Sequence, residues 1–122
     1  MENEVEFLGW ITDKASFYQS LDLYVSASRI EPFGLTLIEA MMARRPVIAT
    51  QCQGPSEFFA DGSGILVPRE DELSLANAIE TMIENKTARE KQATAGYKKA
   101  MKCFNKDHLP EQLQTLLDQL PA

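Results

Sequence analysis

Residues 35–43 read Leu-Thr-Leu-Ile-Glu-Ala-Met-Met-Ala, a helical stretch that is apolar on nearly every side. Such a helix has almost no face to give to water and must be buried over most of its surface. Arg44 and Arg45 follow, where positive charge suits the negative end of the helix dipole, and Pro46 stops the helix. Val47-Ile48-Ala49-Thr50 comes next, a short β-branched run of the kind enclosed in parallel sheets. A buried helix feeding into a buried strand leaves few architectures, and the simplest is helices layered on a parallel sheet.

The remaining segments alternate in the same way. Val5-Glu6-Phe7-Leu8, closed by Gly9, predicts a first strand. Residues 13–20 predict a short helix with Ala15, Phe17, Tyr18 and Leu21 on one side and Thr12 or Asp13 as its cap. Leu23-Tyr24-Val25-Ser26 predicts a second strand, Val47 to Thr50 the third, and Ile65-Leu66-Val67, ended by Pro68, the fourth. Gln53-Gly54-Pro55 turns the chain, residues 56–59 suggest a helical turn, and Asp61-Gly62-Ser63-Gly64 is a loop. Leu75, Ala76, Ile79, Met82 and Ile83 place an amphipathic helix over residues 71–84. Thr87-x-x-Glu90 has the form of a capping box that starts a helix reaching about Cys103, with Gly96 weakening its continuity. Leu109, Leu113, Leu116, Leu117 and Leu120 line a last helix that holds Pro110 in its first turn. The expectation is one α/β domain over residues 1–122, with a Rossmann-like parallel sheet of about four strands and helices on both faces.

Composition narrows the function. With 122 residues, 44% hydrophobic and 25% charged, the chain suits one globular domain and not a disordered one. Its net charge of −6 argues against nucleic acid as a partner, because that affinity comes from Lys and Arg neutralising phosphates. A small anion held by backbone N–H groups remains open. Cys52 and Cys103 form no Cys-x-x-Cys pair, and no acidic pair has metal-site spacing, so no metal is expected. His108, the only histidine, lies far from any chemistry-bearing segment. The acidic start and the absence of a long apolar run predict a cytoplasmic protein.

Chemistry concentrates in Ser28-Arg29-Ile30-Glu31-Pro32-Phe33-Gly34-Leu35-Thr36-Leu37-Ile38-Glu39-Ala40-Met41. Glu31 stands in a loop after a strand, and Gly34 stands at a helix N-terminus. The free N–H groups of Leu35, Thr36 and Leu37 lie behind it, and Glu39 is about one turn further on. Helix N-terminal N–H groups bind phosphate, and glycine lets a phosphate approach the backbone. A carboxylate accepts hydrogen bonds from vicinal hydroxyls, as in dinucleotide folds. These parts suit a nucleoside-diphosphate sugar: Glu39 for the ribose, Glu31 for the sugar, and the helix end for the diphosphate. For Glu31 the plainer reading is a solvated loop acid; for Glu39 it is a buried acid paired with an arginine. Arg29 reads more simply as a solvated cation, and Trp10 equally well as a packed residue.

E-P-F-G-L-T-L-I-E-A-M resembles the E-x7-E signature of retaining glycosyltransferases of the GT-B fold, family 4 (glycosyl transferases group 1). V-E-F-L-G, L-D-L-Y-V-S-A-S, R-P-V-I-A-T, G-P-S-E, D-G-S-G-I-L-V-P and L-A-N-A-I resemble the family's other segments in order, over about residues 5–85. The resemblance implies the C-terminal, donor-binding domain of such an enzyme, truncated at its N-terminal side. It implies that Glu31 is catalytic and contacts the donor sugar. Phe33, Gly34 and Leu35 would lie against sugar and phosphates, Thr36 and Leu37 would meet the diphosphate, and Glu39 would hold the ribose. Gly9 and Trp10 would flank the nucleobase, and Glu57, beside Gly54, would be structural.

Implied partners are a nucleotide-sugar donor, used as substrate with no cofactor, and a sugar or lipid-linked acceptor. The intact enzyme would sit at the periphery of the inner membrane. The chain departs from the family in having Arg44 where glycine usually follows the helix, and Ala27-Ser28 where Pro-Ser is common. It also lacks the Gly-rich loop and the Arg/Lys pair that clamp the diphosphate, so isolated transfer is expected to be weak or absent. An alternative is a catalytically inactive fragment that binds nucleotide sugar or oligomerises and needs a missing N-terminal half, with an exposed sheet edge or helix faces open to a homodimer.

Overall fold

The structure, a computed structural model, describes residues 2–29, 35–52, 55–56, 59, 61–103 and 111–121. After a short 3-10 turn at Glu2–Glu4, the elements are α1 (Lys14–Gln19), β1 (Tyr24–Ser26), α2 (Leu35–Met42), β2 (Val47–Thr50) and β3 (Ile65–Val67). Three helices follow: α3 (Glu72–Glu84), α4 (Lys86–Cys103) and α5 (Glu111–Gln119). The strands form one parallel sheet in the order β1-β2-β3, with Val25 opposite Ile48 and Ala49 opposite Leu66.

Strand alternation sorts the core into two layers. Tyr24, Val47, Ala49 and Leu66 pack on one face against α1, α2, α4 and α5. Val25, Ile48, Ile65 and Val67 pack on the other against Met82, Leu75, Ala78 and Ile79 of α3 and Ala88 of α4. Successive strand side chains point to opposite faces, so every position of β2 is enclosed. The helix that is apolar all round becomes the centre of the first layer: Leu37, Ile38, Ala40, Met41 and Met42 are all buried.

The expected first strand does not form. Val5 to Leu8 joins no ladder, and Phe7 is 95% exposed and Trp10 91%. β-propensity predicts which residues suit a strand but supplies no partner, and β1 pairs among the described residues only with β2. Among the described residues the sheet therefore has three strands where about four were expected.

Caps explain the helix starts. Asp13 accepts from Ser16 N at 3.1 Å, and Asp71 accepts from Ser74 N at 2.9 Å. The cap of α4 is Asn85, whose Oδ1 accepts from Ala88 N at 2.9 Å, and not the Thr87 capping box. Helix α4 runs unbroken through Gly96, which is buried: a Cβ there would stand 3.3 Å from the Ser63 carbonyl and 3.5 Å from Met41 Cγ. The glycine lowers helix propensity but allows α4 to close on α2. In the same loop Asp61 receives Lys99 Nζ at 2.6 Å and Ser63 N at 3.1 Å. The Lys99 bond, with Ser63 second, holds its carboxyl down at about 2.

Helix α2 ends as its departure from the family pattern requires. Arg44 has φ 59°, with Arg44 N donating to Met41 O and Arg45 N to Ala40 O, both at 3.0 Å. This is a Schellman end with arginine in the left-handed position that favours glycine. The Arg44 guanidinium lies 3.8 Å from the centre of the Tyr97 ring, a cation–π contact worth roughly 0.5–1 kcal/mol.

Two stability predictions follow from these contacts. Arg44→Ala, which keeps the backbone strain and loses the ring contact, is the least stable variant at this site. Arg44→Gly recovers about 1 kcal/mol relative to it, and urea unfolding of both variants measures the difference. Gly96→Leu forces α4 off α2 and costs about 1–3 kcal/mol; an unchanged urea midpoint would refute the close approach.

Candidate functional site

All three strands point their carboxyl ends at one edge of the sheet, where open α/β folds bind ligands. The chain leaving β1 is tied down there. The carbonyl of Ser28 accepts from Thr50 Oγ1 at the end of β2 and from the buried Cys52 thiol at 3.1 Å. Arg69, just past β3, donates to the Arg29 carbonyl at 3.2 Å. The side chain of Arg29 is exposed and ion-paired with Glu70 at 3.3 Å, so it reads as the solvated cation. Residues 27–29 are thus held by the ends of two neighbouring strands, directly ahead of the segment that begins α2.

Glu31, Phe33 and Gly34 lie outside the described residues, as do Gly54 and Glu57. Leu35, partly buried against the core, and the exposed Thr36 start α2, while Leu37 turns into the core. Gly9 has φ +68°, and Trp10 stacks on no ring among the described residues. The reading of Trp10 as a packed side chain is therefore set aside.

Glu39 is the candidate site residue whose surroundings the structure describes most fully. It is 2% exposed, inside an otherwise apolar helix. A buried carboxylate needs partners, because desolvation without them costs several kcal/mol. The plainer reading of this acid paired it with an arginine; the partners found are Tyr18 and Lys14, both on α1. Tyr18 donates its hydroxyl to Oε2 at 3.0 Å, and Lys14 Nζ faces Oε1 at 3.4 Å. Tyr18 is itself buried, and its ring meets Phe17 at 5.1 Å and Tyr24 at 5.8 Å between centroids.

Burial above all, and then the negative charge of Glu39 beside it, push the Tyr18 phenol far above its usual value. Neither Lys14 nor Tyr18 stood out as a site residue in the sequence. The signal that was available is the acid itself, since a Glu in an apolar helix demands donors from a neighbouring element.

Among the described residues no three His, Cys, Asp or Glu side chains gather as a metal site, and no described helix is long and apolar enough to cross a membrane.

Residues 1–99 match the family model described as glycosyl transferases group 1. The chain belongs to that family. It is 29% identical over 122 residues to the lipopolysaccharide core biosynthesis glycosyltransferase LpsE of Rhizobium meliloti, covering 99% of this chain and 36% of that protein. It is 36% identical over 96 residues to the phosphatidyl-myo-inositol mannosyltransferase of Mycobacterium leprae, covering 75% of this chain and 26% of the relative.

Among solved structures, HepE of Anabaena in complex with UDP matches with a TM-score of 0.81 and 31% identity, over 97% of this chain and 31% of HepE. The C-terminal domain of the group 1 glycosyl transferase LpcC from Francisella tularensis matches with a TM-score of 0.70 and 31% identity, over 80% of this chain and 51% of that one. The layered α/β fold is that of GT-B C-terminal domains, and the chain spans about a third of the length of its curated relative LpsE.

The Tyr18–Glu39 contact has a consequence at alkaline pH. The folded chain holds the phenol proton more tightly than the unfolded chain does. Its stability contribution is therefore intact below the ordinary tyrosine value of about 10 and is lost as pH rises above it. Thermal melts from pH 8 to 11 should fall more steeply above pH 10 for the native chain than for Tyr18→Phe; parallel curves would refute the contact.

Proposed function

We propose that this chain is the donor-binding portion of a retaining hexosyltransferase that uses a nucleoside-diphosphate sugar. The observation that carries the reading is Glu39. Its carboxylate is kept within α2 by two donors from α1, in a chain whose fold matches a protein solved with UDP. In this reading Glu39 accepts the ribose hydroxyls, and Glu31 contacts the transferring sugar. The N–H groups of Leu35, Thr36 and Leu37 face the diphosphate, with Phe33 and Gly34 shaping the approach and Gly9 and Trp10 beside the nucleobase. Developing charge on the diphosphate leaving group is stabilised first by the start of α2.

A sugar or lipid-linked acceptor, reached at the cytoplasmic face of a membrane, completes the reaction in the intact enzyme. LpsE and its Rhizobium relatives act in lipopolysaccharide core biosynthesis by name, which favours a glycan of that kind. The donor needs neither cofactor nor metal in this scheme.

Calorimetric titration with UDP-, GDP- and ADP-sugars tests the site. Glu39→Ala should weaken binding of the preferred donor by about tenfold or more, the equivalent of a charge-assisted hydrogen bond. Heats unchanged by that substitution would remove Glu39 from the site. Turnover by the 122-residue chain alone should be absent or slow; robust multiple turnover would show that the chain carries the whole catalytic apparatus.

The second reading, an assembly module, is favoured by the edge of β1, which pairs with no second strand among the described residues, and by exposed Val5, Phe7, Leu8 and Trp10. Sedimentation equilibrium should then show concentration-dependent dimers. A monomer at high concentration would rule them out.

A further inference from the structure

The two oxygens of the Glu39 carboxylate have unlike partners. Oε2 receives the hydroxyl of Tyr18, a buried residue wedged between the rings of Phe17 and Tyr24. The hydroxyl oxygen lies closer to Glu39, at 3.0 Å, than to the Thr36 carbonyl, at 3.4 Å, and its single proton favours the nearer, charged acceptor. Oε1 faces the ammonium of Lys14 across a long 3.4 Å contact, and the Lys14 side chain is 45% exposed.

One partner is therefore fixed and the other is free to leave. A flexible, half-exposed lysine gives up such a contact at little cost, because water solvates its ammonium at once. Glu39 at 2% exposure is otherwise closed to solvent, so a ligand hydroxyl reaches Oε1 by taking the place of Nζ. Each carboxylate oxygen accepts two hydrogen bonds, so Oε2 keeps an acceptor position while Tyr18 stays bound.

We propose that Tyr18 is a positioning residue that fixes Glu39, and that Lys14 is a placeholder that covers the empty site and yields Oε1 to the vicinal hydroxyls of the donor's ribose. This rests on the reading of Glu39 as the ribose-holding carboxylate. It also accounts for how a carboxylate so deeply buried serves a ligand: the ammonium supplies the hydrogen bond that the hydroxyls later supply, and the acid is never left without a donor.

Paired titrations of the 122-residue chain with UDP and 2′,3′-dideoxy-UDP separate the roles, since only UDP carries the vicinal hydroxyls. The native chain should prefer UDP, and Glu39→Gln should abolish that preference. Tyr18→Phe keeps the ring packing and should weaken UDP about tenfold, in line with loss of one hydrogen bond to a charged group, while dideoxy-UDP stays within about twofold. Lys14→Met should keep the preference for UDP.

Equal weakening of both ligands in Tyr18→Phe, or no weakening, overturns the positioning role. Loss of the preference in Lys14→Met overturns the placeholder and makes Lys14 a part of the binding site. A native chain that binds neither ligand, or binds both equally, removes the ribose reading of Glu39 and this proposal with it. Should Tyr18→Phe fail to fold by circular dichroism, the Lys14→Met titrations still decide between placeholder and binder.

Discussion

A carboxylate buried in the most apolar helix of the chain sets the terms for everything around it. Glu39 interrupts the run that makes α2 a core helix, and an unpartnered charge there would cost more than any one of its neighbours contributes. The structure meets that cost by bringing α1 across α2 so that Tyr18 and Lys14 reach the two oxygens. Tyr18 then organises the ring cluster with Phe17 and Tyr24, and Tyr24 begins β1. One acid thus links the first helix, the central helix and the edge of the sheet. The polar contact itself adds little net stability. Its effect is to fix which face of α1 meets α2.

The opposite end of α2 is governed by backbone geometry. Arg44 occupies a left-handed conformation that glycine would adopt without strain, and the ring of Tyr97 gives its guanidinium a place to rest. Gly96, one residue before Tyr97, permits the approach of α4 that puts the ring there. A residue unfavourable for helix propensity and a residue unfavourable for a helix cap therefore support each other through packing. Neither makes sense alone.

The strands were legible where burial is two-sided. β2, enclosed on both faces, and the half-buried β3 have the expected bounds, and the half-buried β1 starts one residue late. Val5 to Leu8 has the same local pattern without the result, since pairing belongs to the sheet and not to the segment. The sequence pattern put the cap of α4 at Thr87, whereas the Ala88 amide bonds the side chain of Asn85 two residues earlier. In the candidate site, sequence reasoning identified Glu39 as an acid in need of a partner or a polar pocket, and the arginine of its plainer reading is replaced by Tyr18 and Lys14. The partners lie 21 and 25 residues upstream, a separation that no periodicity reports. Glu31, Phe33 and Gly34, the other half of the expected site, lie outside the described residues.

The carboxyl edge also bears on what binding there can accomplish. A helix N-terminus presents about half a unit of positive charge, well short of neutralising a diphosphate. Of the arginines at this edge, Arg29 is already paired with Glu70, and Arg69 is spent in part on the Arg29 carbonyl. Recognition of ribose hydroxyls makes no demand on net charge, whereas stabilising a departing diphosphate does. The two functions therefore separate on electrostatic grounds. The arrangement around Glu39 is complete within the described residues, with both carboxylate oxygens satisfied before any ligand arrives. The charge that the proposed leaving-group departure needs is only partly present among the described residues. On the proposed reading, the described residues are on these grounds better suited to holding a nucleotide than to cleaving its bond to sugar.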